Sequence, residues 1–452
     1  MMERLIEKYN VAVPRYTSYP TVPNWNTESF SKKAYLDLIQ TDFAKANQAG
    51  LSLYIHLPYC ESLCTYCGCN TRITVNHAVE APYIDALIAE WTQYLEIFGN
   101  KPKIREIHLG GGTPTFFAPS ELKRLIKAIF AKAEISEDAS FSFEAHPSNT
   151  TEEHLSVLAS IGFDRLSLGV QDFDPKVQEA INRRQTPEDV ERVTDQARKL
   201  GYRSVNFDLV YGLPFQTEVG VMNAVDEVIR LRPDRIAFYS YAHVPWKRPG
   251  QRAYDENDLP QGEEKLNLFV KGRERLMEAG YVPIGFDHFA LPQDSLYRAY
   301  ENGTMHRNFM GYTDLRTDFL IGLGVSSISD VGTAFAQNAK SVEGYIEQVQ
   351  SGELPIVKGH LLEEMESIIR GHILNLTCKH KTSWASAPQL EQSYMRNCLR
   401  KLDEAEVDGL VERTFDQIKM TELGKLFVRN ICAAFDKDYQ GDTVLKKYSM
   451  GV

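Results

Sequence analysis

Six short runs rich in β-branched and aromatic residues alternate with helical stretches through the first two-thirds of the chain, and this alternation limits the fold more than any other feature. The predicted strands are 51–56, 105–109, 140–144, 165–171, 204–209 and 235–239. Between the second and third, Leu122, Leu125, Ile126, Ile129 and Phe130 recur at helical spacing behind Pro119-Ser120, so one face of a helix there belongs to a core. Strand, helix, strand in regular succession implies parallel pairing with right-handed crossovers, in a barrel or in an open doubly wound sheet.

The residues at the strand ends choose between these. A cysteine-rich loop follows the first strand, and Gly110-Gly111-Gly112-Thr113-Pro114-Thr115 follows the second. Glu144, Gln171, Asp208 and Ala242 lie at or just past the ends of the other four. In a (β/α) barrel all these ends converge on one face, where such folds keep their active sites. The expected fold class is α/β, a partial (β/α)6 TIM-like barrel left open at one side.

At 452 residues the chain is long for one domain. The expected division is an N-terminal substrate-covering segment (1–46), the barrel with its extension (47–330) and a small, mainly helical C-terminal domain (331–452). In the last of these, 410–414 and 417–420 flank a turn ahead of a helix over 422–435, a winged-helix-like order. Such units often bind DNA, but the net charge is −11 and no basic stripe is interleaved with aromatics, so no nucleic-acid partner is expected. No apolar stretch is long enough to span a bilayer, and the opening MMERLIEKYN has no apolar core of a signal peptide. The expected location is the cytoplasm, where disulfides are rare.

Four of the seven cysteines fall in the run CESLCTYCGC, with Cys60, Cys64 and Cys67 spaced C-x3-C-x2-C and Cys69 just beyond. Three thiolates can hold three irons of a [4Fe-4S] cube; full cysteine ligation takes four, so one iron stays open for another ligand. A structural zinc knuckle and a disulfide compete with this reading. Zinc sites usually draw on a second, separated pair, whereas Cys378, Cys398 and Cys432 stand singly in helical, partly apolar settings and read as packed thiols.

With this loop the chain resembles the radical S-adenosylmethionine (SAM) superfamily, in which SAM chelates the open iron and is cleaved by one electron to methionine and a 5′-deoxyadenosyl radical. Further motifs narrow the resemblance. They are Pro14-Arg15-Tyr16-Thr17-Ser18-Tyr19-Pro20-Thr21, His108 to Thr115, Gly169-Val170-Gln171-Asp172-Phe173, Asp208-Leu209-Val210-Tyr211-Gly212-Leu213-Pro214 and His306-Arg307-Asn308-Phe309. Together with the cluster loop and Cys69 they are similar, in content and order, to the oxygen-independent coproporphyrinogen III dehydrogenase family, over essentially the whole chain.

That resemblance implies a radical SAM barrel and the anaerobic oxidative decarboxylation of two propionates of coproporphyrinogen III to vinyl groups, giving protoporphyrinogen IX in haem biosynthesis. It implies a [4Fe-4S] cluster on Cys60, Cys64 and Cys67, two SAM molecules per chain and a flavodoxin- or ferredoxin-type electron donor; a monomer is expected. By the same resemblance, Tyr54, Gly111, Glu144 and Ile328 contact the cluster-bound SAM. Tyr66, Gly112, Thr113, Gln171, Arg183, Asp208 and Ala242 contact the second. Read on their own terms, the glycines let backbone approach a ligand closely, and Glu144 can accept hydrogen bonds from ribose hydroxyls. Arg183 would otherwise be an ordinary surface arginine.

No acid–base pair announces itself, and the catalytic candidates are Cys69, with no place among the three ligands, and His56. A macrocycle carrying propionates needs an apolar cleft rimmed by cations, for which Arg15 and Arg307, with its neighbour His306, are the candidates. Two stretches depart from the family's usual pattern: 313–320, and His146 where an aspartate is common. The rival reading is a haem chaperone sharing the same core without the decarboxylation; such relatives typically lack the Pro-Arg-Tyr-Thr segment and carry phenylalanine in place of Cys69.

Overall fold

The computed structural model describes residues 2–439, 441 and 448–450. Six parallel strands form its centre: β1 (Leu51–Leu57), β2 (Lys103–Gly111), β3 (Glu134–Ala145), β4 (Phe163–Gln171), β5 (Ser204–Tyr211) and β6 (Arg235–Ser240). All six coincide with predicted strands, lengthened by one to seven residues where the pairing continues into less apolar sequence. Leu51, Leu53, Ile55 and Leu57 of β1 are fully buried in the main core, while Ser52, Tyr54 and His56 alternate with them, as the twofold period of a strand requires. The helix Pro119–Phe130 buries Leu122, Leu125, Ile126 and Ile129, the stripe read from the sequence.

The sheet runs on at both sides. Beyond β6, β7 (Val282–Ile284) and β8 (His288–Ala290) fold back antiparallel. Beyond β1, β9 (Leu320–Leu323) pairs in parallel, and β10 (Ile328–Asp330), β11 (Ala334–Asn338) and β12 (Ile356–Leu361) follow antiparallel. The order is β12-β11-β10-β9-β1-β2-β3-β4-β5-β6-β8-β7, an open twelve-stranded sheet that wraps as a partial barrel. Residue 330, expected from the sequence to be a boundary, is the last residue of β10 and pairs with Leu320 and Phe335 inside this sheet.

A second core joins the two ends of the sequence. Leu5, Ile6, Val13, Tyr16 and Tyr19 pack with Ile369, Ile373, Met395, Phe427 and Ile431. The C-terminal part carries the helices Glu364–Lys379 and Gln389–Lys401 and a three-stranded antiparallel sheet of Lys381–Ser383, Gln417–Met420 and Val411–Arg413. The hairpin is where the sequence placed it. The helix expected over 422–435 is shorter: a 3-10 turn, Gly424–Phe427, precedes an α-helix over Val428–Ala433. Two contacts account for the difference. The Thr421 hydroxyl accepts the Gly424 N–H at 2.9 Å, and a β-carbon at Gly424 would lie 1.8 Å from the Leu410 carbonyl, so this turn is wedged against the hairpin.

Candidate active site at the strand ends

Register alone gathers the candidate residues. Leu57 at the end of β1 pairs with Gly111 of β2, Glu144 of β3 with Ser167 of β4, and Gly169 of β4 with Asp208 of β5. Gly111, Glu144, Gly169 and Asp208 open on one cavity of about 980 Å3, walled also by Cys60, Cys64, Cys67, Cys69, Tyr66, Gly112, Thr113, Gln171, Arg183 and Ala242. Of the residues singled out from the sequence, Tyr54, His56 and Ile328 stand behind this wall. Tyr54 pairs with His108 and with Gly322 on β9, and a β-carbon on Gly322 would meet the Ile328 backbone at 2.6 Å, so Ile328 and Tyr54 are close neighbours across the sheet.

The cysteine loop is anchored on both sides. Thr65 hydrogen-bonds Ala180 and Ile181 through its hydroxyl and N–H at 2.9 and 3.0 Å, and Asn182 donates to the Leu63 carbonyl at 2.8 Å. The thiols have their own donors: Thr113 Oγ1 to Cys60 Sγ at 3.3 Å, Arg183 Nη1 to Cys64 Sγ at 3.8 Å and the Cys69 N–H to Cys67 Sγ at 3.4 Å. Burial raises Cys60 to about 11, whereas hydrogen bonding from Cys69 draws Cys67 down to about 6 and correspondingly raises Cys69. Among the described residues no three His, Cys, Asp or Glu side chains converge on a single ion. A cube takes one thiolate per iron and needs no such convergence. Cys60, Cys64 and Cys67, backed by a hydroxyl and a guanidinium that favour thiolate, fit a [4Fe-4S] cluster.

The glycine run approaches closely for a steric reason. A β-carbon at Gly112 would lie 2.6 Å from the Pro58 carbonyl group, and Gly111, with φ of 115°, would push one to 2.7 Å from His56 Nδ1. His56 itself is buried with both ring nitrogens engaged, Nε2 with the Asn70 carbonyl at 2.8 Å and Nδ1 with the Tyr54 hydroxyl at 3.0 Å; burial lowers its pKa. A neutral imidazole so held supports the glycine turn and the cluster loop from behind.

Glu144 accepts the Gly111 N–H at 3.0 Å and faces His108 Nε2 at 3.5 Å; burial opposes its charge, but these partners, His108 first, keep it below the usual range. Asp208 is held by Ser167 Oγ and Asn206 Nδ2, each at 2.9 Å, and is pushed up to about 6 by burial and by Glu144. Gln171 sits at φ of 65° where the ladder between β4 and β5 shifts register, a bulge that turns its side chain out of the sheet. Arg183 donates to the Gly169 carbonyl at 2.5 Å, yet its Nε is buried with no hydrogen-bond partner. An orphaned donor beside a glycine-lined cavity is what a bound polar ligand would satisfy.

Sequence reasoning missed Gln251. Its side chain, 2% exposed, donates from Nε2 to the carbonyls of Tyr66 (3.0 Å) and Ala242 (3.2 Å) and accepts the Val244 N–H at 2.6 Å, so it ties the cysteine loop to the loop after β6. Arg248 adds bonds to the Gly68 and Cys69 carbonyls. Both lie in an undistinguished stretch, and only their burial and partners mark them.

Comparison with known proteins agrees with this geometry. The radical SAM superfamily matches residues 54–228. The chain is 38% identical to an oxygen-independent coproporphyrinogen III oxidase of Pseudomonas aeruginosa over 96% of its length and 95% of the relative's, and 36% identical to that of Escherichia coli over 98% and 97%. The structure of the Escherichia coli coproporphyrinogen III oxidase, described as a radical SAM enzyme, superposes with a TM-score of 0.89 at 35% identity, covering 96% of this chain and 98% of that one. On likeness of this extent, with three thiols, a glycine turn and paired carboxylates at the strand ends, the chain belongs to the oxygen-independent coproporphyrinogen III oxidase family of the radical SAM superfamily.

Proposed function

We infer that the protein oxidatively decarboxylates coproporphyrinogen III without oxygen, converting two propionates to vinyl groups to give protoporphyrinogen IX in haem biosynthesis. The observation that carries this reading is the joining of Cys60, Cys64 and Cys67 with Gly111, Glu144 and Asp208 in one cavity large enough for more than a single small ligand. When bound, cluster and SAM would supply one-electron radical chemistry able to remove a hydrogen atom from a propionate β-carbon. The carboxyl group then leaves as carbon dioxide and one electron passes to an acceptor.

The chain's own contribution is placement. Cys60, Cys64 and Cys67 hold the cluster; Gly111, Glu144, Tyr54 and Ile328 shape the place of the SAM bound to it. Tyr66, Gly112, Thr113, Gln171, Arg183, Asp208 and Ala242 line the part of the cavity that takes a second SAM, where the orphaned Arg183 Nε and the Asp208 carboxylate offer a donor and an acceptor. His56 acts through the glycine turn, and Cys69 through its hydrogen bond to Cys67. A flavodoxin- or ferredoxin-type protein delivers the electrons, and the enzyme works as a cytoplasmic monomer; no helix among the described residues is long and apolar enough to cross a membrane.

Anaerobic incubation of reconstituted protein with SAM, a low-potential reductant and coproporphyrinogen III, followed by mass analysis of the porphyrins, tests the reading. Sequential loss of two carboxyl groups is expected. Cleavage of SAM with an unchanged tetrapyrrole, accompanied by tight haem binding, would instead identify the chaperone.

A further inference from the structure

A second, smaller cavity of about 170 Å3 opens from the inner end of the cleft, between the barrel, the N-terminal segment and the C-terminal part. Arg15, Tyr239 and Ser240 belong to the walls of both. Its other walls are largely apolar, with Tyr211, Phe269, Phe286 and Phe309 among them, but Arg307 also enters it. Arg307 is 7% exposed, lies over the rings of Phe286 and Tyr312 at 4.7 and 5.2 Å, and spends one Nη on the Tyr16 carbonyl at 2.5 Å; its Nε is buried without a partner. Arg15, open to solvent through the cleft, donates to the Ser240 carbonyl at 2.6 Å.

Buried cations are ordinarily paired. Among the described residues no ion pair joins Arg15 or Arg307 to a carboxylate. The one acid of this cavity, Asp287, hydrogen-bonds His288 at 2.6 Å, and His288, Arg307 and Arg15 together hold its carboxyl below the usual range against burial, so a single carboxylate faces both guanidinia and the Arg429 beside them. Arg429 lines the same cavity, and Lys265 stands just outside it, donating to the Tyr241 carbonyl at 3.1 Å; burial and the nearness of Arg15 and Arg429 draw Lys265 down to about 7. Positive charge in excess of the one carboxylate is thus concentrated against aromatic rings, with the Arg307 Nε left unfilled, directly beside the reactive cleft.

We propose that this aromatic chamber is a carboxylate subsite, in which Arg307 and Arg15 grip a propionate of the tetrapyrrole other than the one reacting while the rings pack against the macrocycle. The proposal rests on the function inferred above. It makes the non-reacting propionates handles for orientation. A guanidinium fork fixes a carboxylate in direction as well as position, so holding one at the inner end sets which propionate is presented at the glycine turn. His306, on the neighbouring strand position, does not line this chamber.

Anaerobic fluorescence titration with coproporphyrin III, the oxidised macrocycle, and with its tetramethyl ester tests the subsite without turnover. The parent is expected to bind the free acid at least about tenfold more tightly than the ester. Arg307→Met and Arg15→Gln are each expected to weaken the acid about tenfold or more and to leave the ester nearly unchanged, with iron content and SAM affinity as in the parent. Arg307→Lys, keeping charge without the fork, should fall between. Equal binding of acid and ester by the parent, or retention of the parent's preference by both variants, overturns the proposal. A parent that prefers the acid yet never decarboxylates coproporphyrinogen III overturns the functional reading and leaves the subsite standing.

Discussion

Gly111 is moulded on His56: a β-carbon at residue 111 would lie 2.6 Å from Cε1 of the imidazole, and the backbone there is already in the left-handed half of conformational space. The imidazole has no room to yield, because both its nitrogens are engaged. Gly111→Ala should therefore destabilise the fold by about 1–3 kcal/mol and displace the turn that faces the cluster. Thermal melting and the amount of 5′-deoxyadenosine formed per cluster measure the two effects; an alanine variant equal to the parent in both would disprove the steric reading.

Anaerobic reconstitution should load about four irons and four sulfides per chain. Cys64→Ala should abolish loading, and Cys69→Ala should leave it intact, since Cys69 offers Cys67 only a hydrogen bond. Iron and sulfide analysis with the visible absorption spectrum distinguishes the outcomes, and one zinc without iron would sink the assignment.

Asp208 should make binding of the proposed second SAM depend on pH. Its pKa is raised to about 6, so the carboxylate that accepts hydrogen bonds is present above that pH and is lost as the pH falls through it. SAM stoichiometry should be near two per chain at pH 8 and drop toward one below pH 6, by roughly the 1–3 kcal/mol of an unpaired donor. Asp208→Asn should hold the lower stoichiometry throughout. Equilibrium dialysis with labelled SAM measures it, and a parent that saturates at one under every condition refutes the second site.

Gln251→Leu removes the tie between the cysteine loop and the loop after β6. Each stranded carbonyl or N–H costs about 1–3 kcal/mol. The expected result is a cluster that still assembles but is lost faster to a chelator, with SAM binding weakened about tenfold or more. Chelation kinetics unchanged from the parent would show that Arg248, Thr65 and Asn182 hold the loop without Gln251.

Glu90 is fully buried and accepts hydrogen bonds from the Gly324 N–H, Tyr345 hydroxyl and Asn338 amide at 2.8, 2.7 and 2.6 Å, which fixes the turn joining β9 and β10. Burial raises its pKa from 4.5 to about 7. Because the folded state holds this proton more tightly, the stability gained is complete below pH 4.5 and is lost as the pH rises through about 7. Glu90→Ala should cost at low pH about 1–3 kcal/mol for each donor left unpaired, and denaturant titrations should show the gap between variant and parent narrowing as the pH is raised.

The six central strands were legible because they are short runs rich in β-branched and aromatic residues, most of them alternating apolar with polar positions as strands with one face in the core do, and each ends near a polar or glycine residue of the site. Cysteine spacing and the glycine run marked the mouth of the barrel for the same local reason. The strands β9 to β12 were not legible: β10 is three residues long, and its neighbours owe their place to pairing partners remote in sequence, not to a pattern of their own. Gln251 shows the limit at a single residue. Glutamine in a loop is ordinarily solvated, and nothing before the fold says that this one will face two carbonyls and an N–H. Arg307 is picked out in the sequence by its guanidinium fork and its place in the His306-Arg307-Asn308-Phe309 motif, but the unfilled Nε emerges only when the surrounding rings are in place.

The guanidinium of Arg429 binds the Val13 and Pro14 carbonyls on one side and Ser449 and Met450 on the other. It also lines the chamber that Arg15 enters. The inner wall of the chamber is therefore stapled by one side chain: Arg429 draws segments remote in sequence onto a single guanidinium, so its loss would part the N-terminal segment from the C-terminal part at the very wall that Arg15 faces.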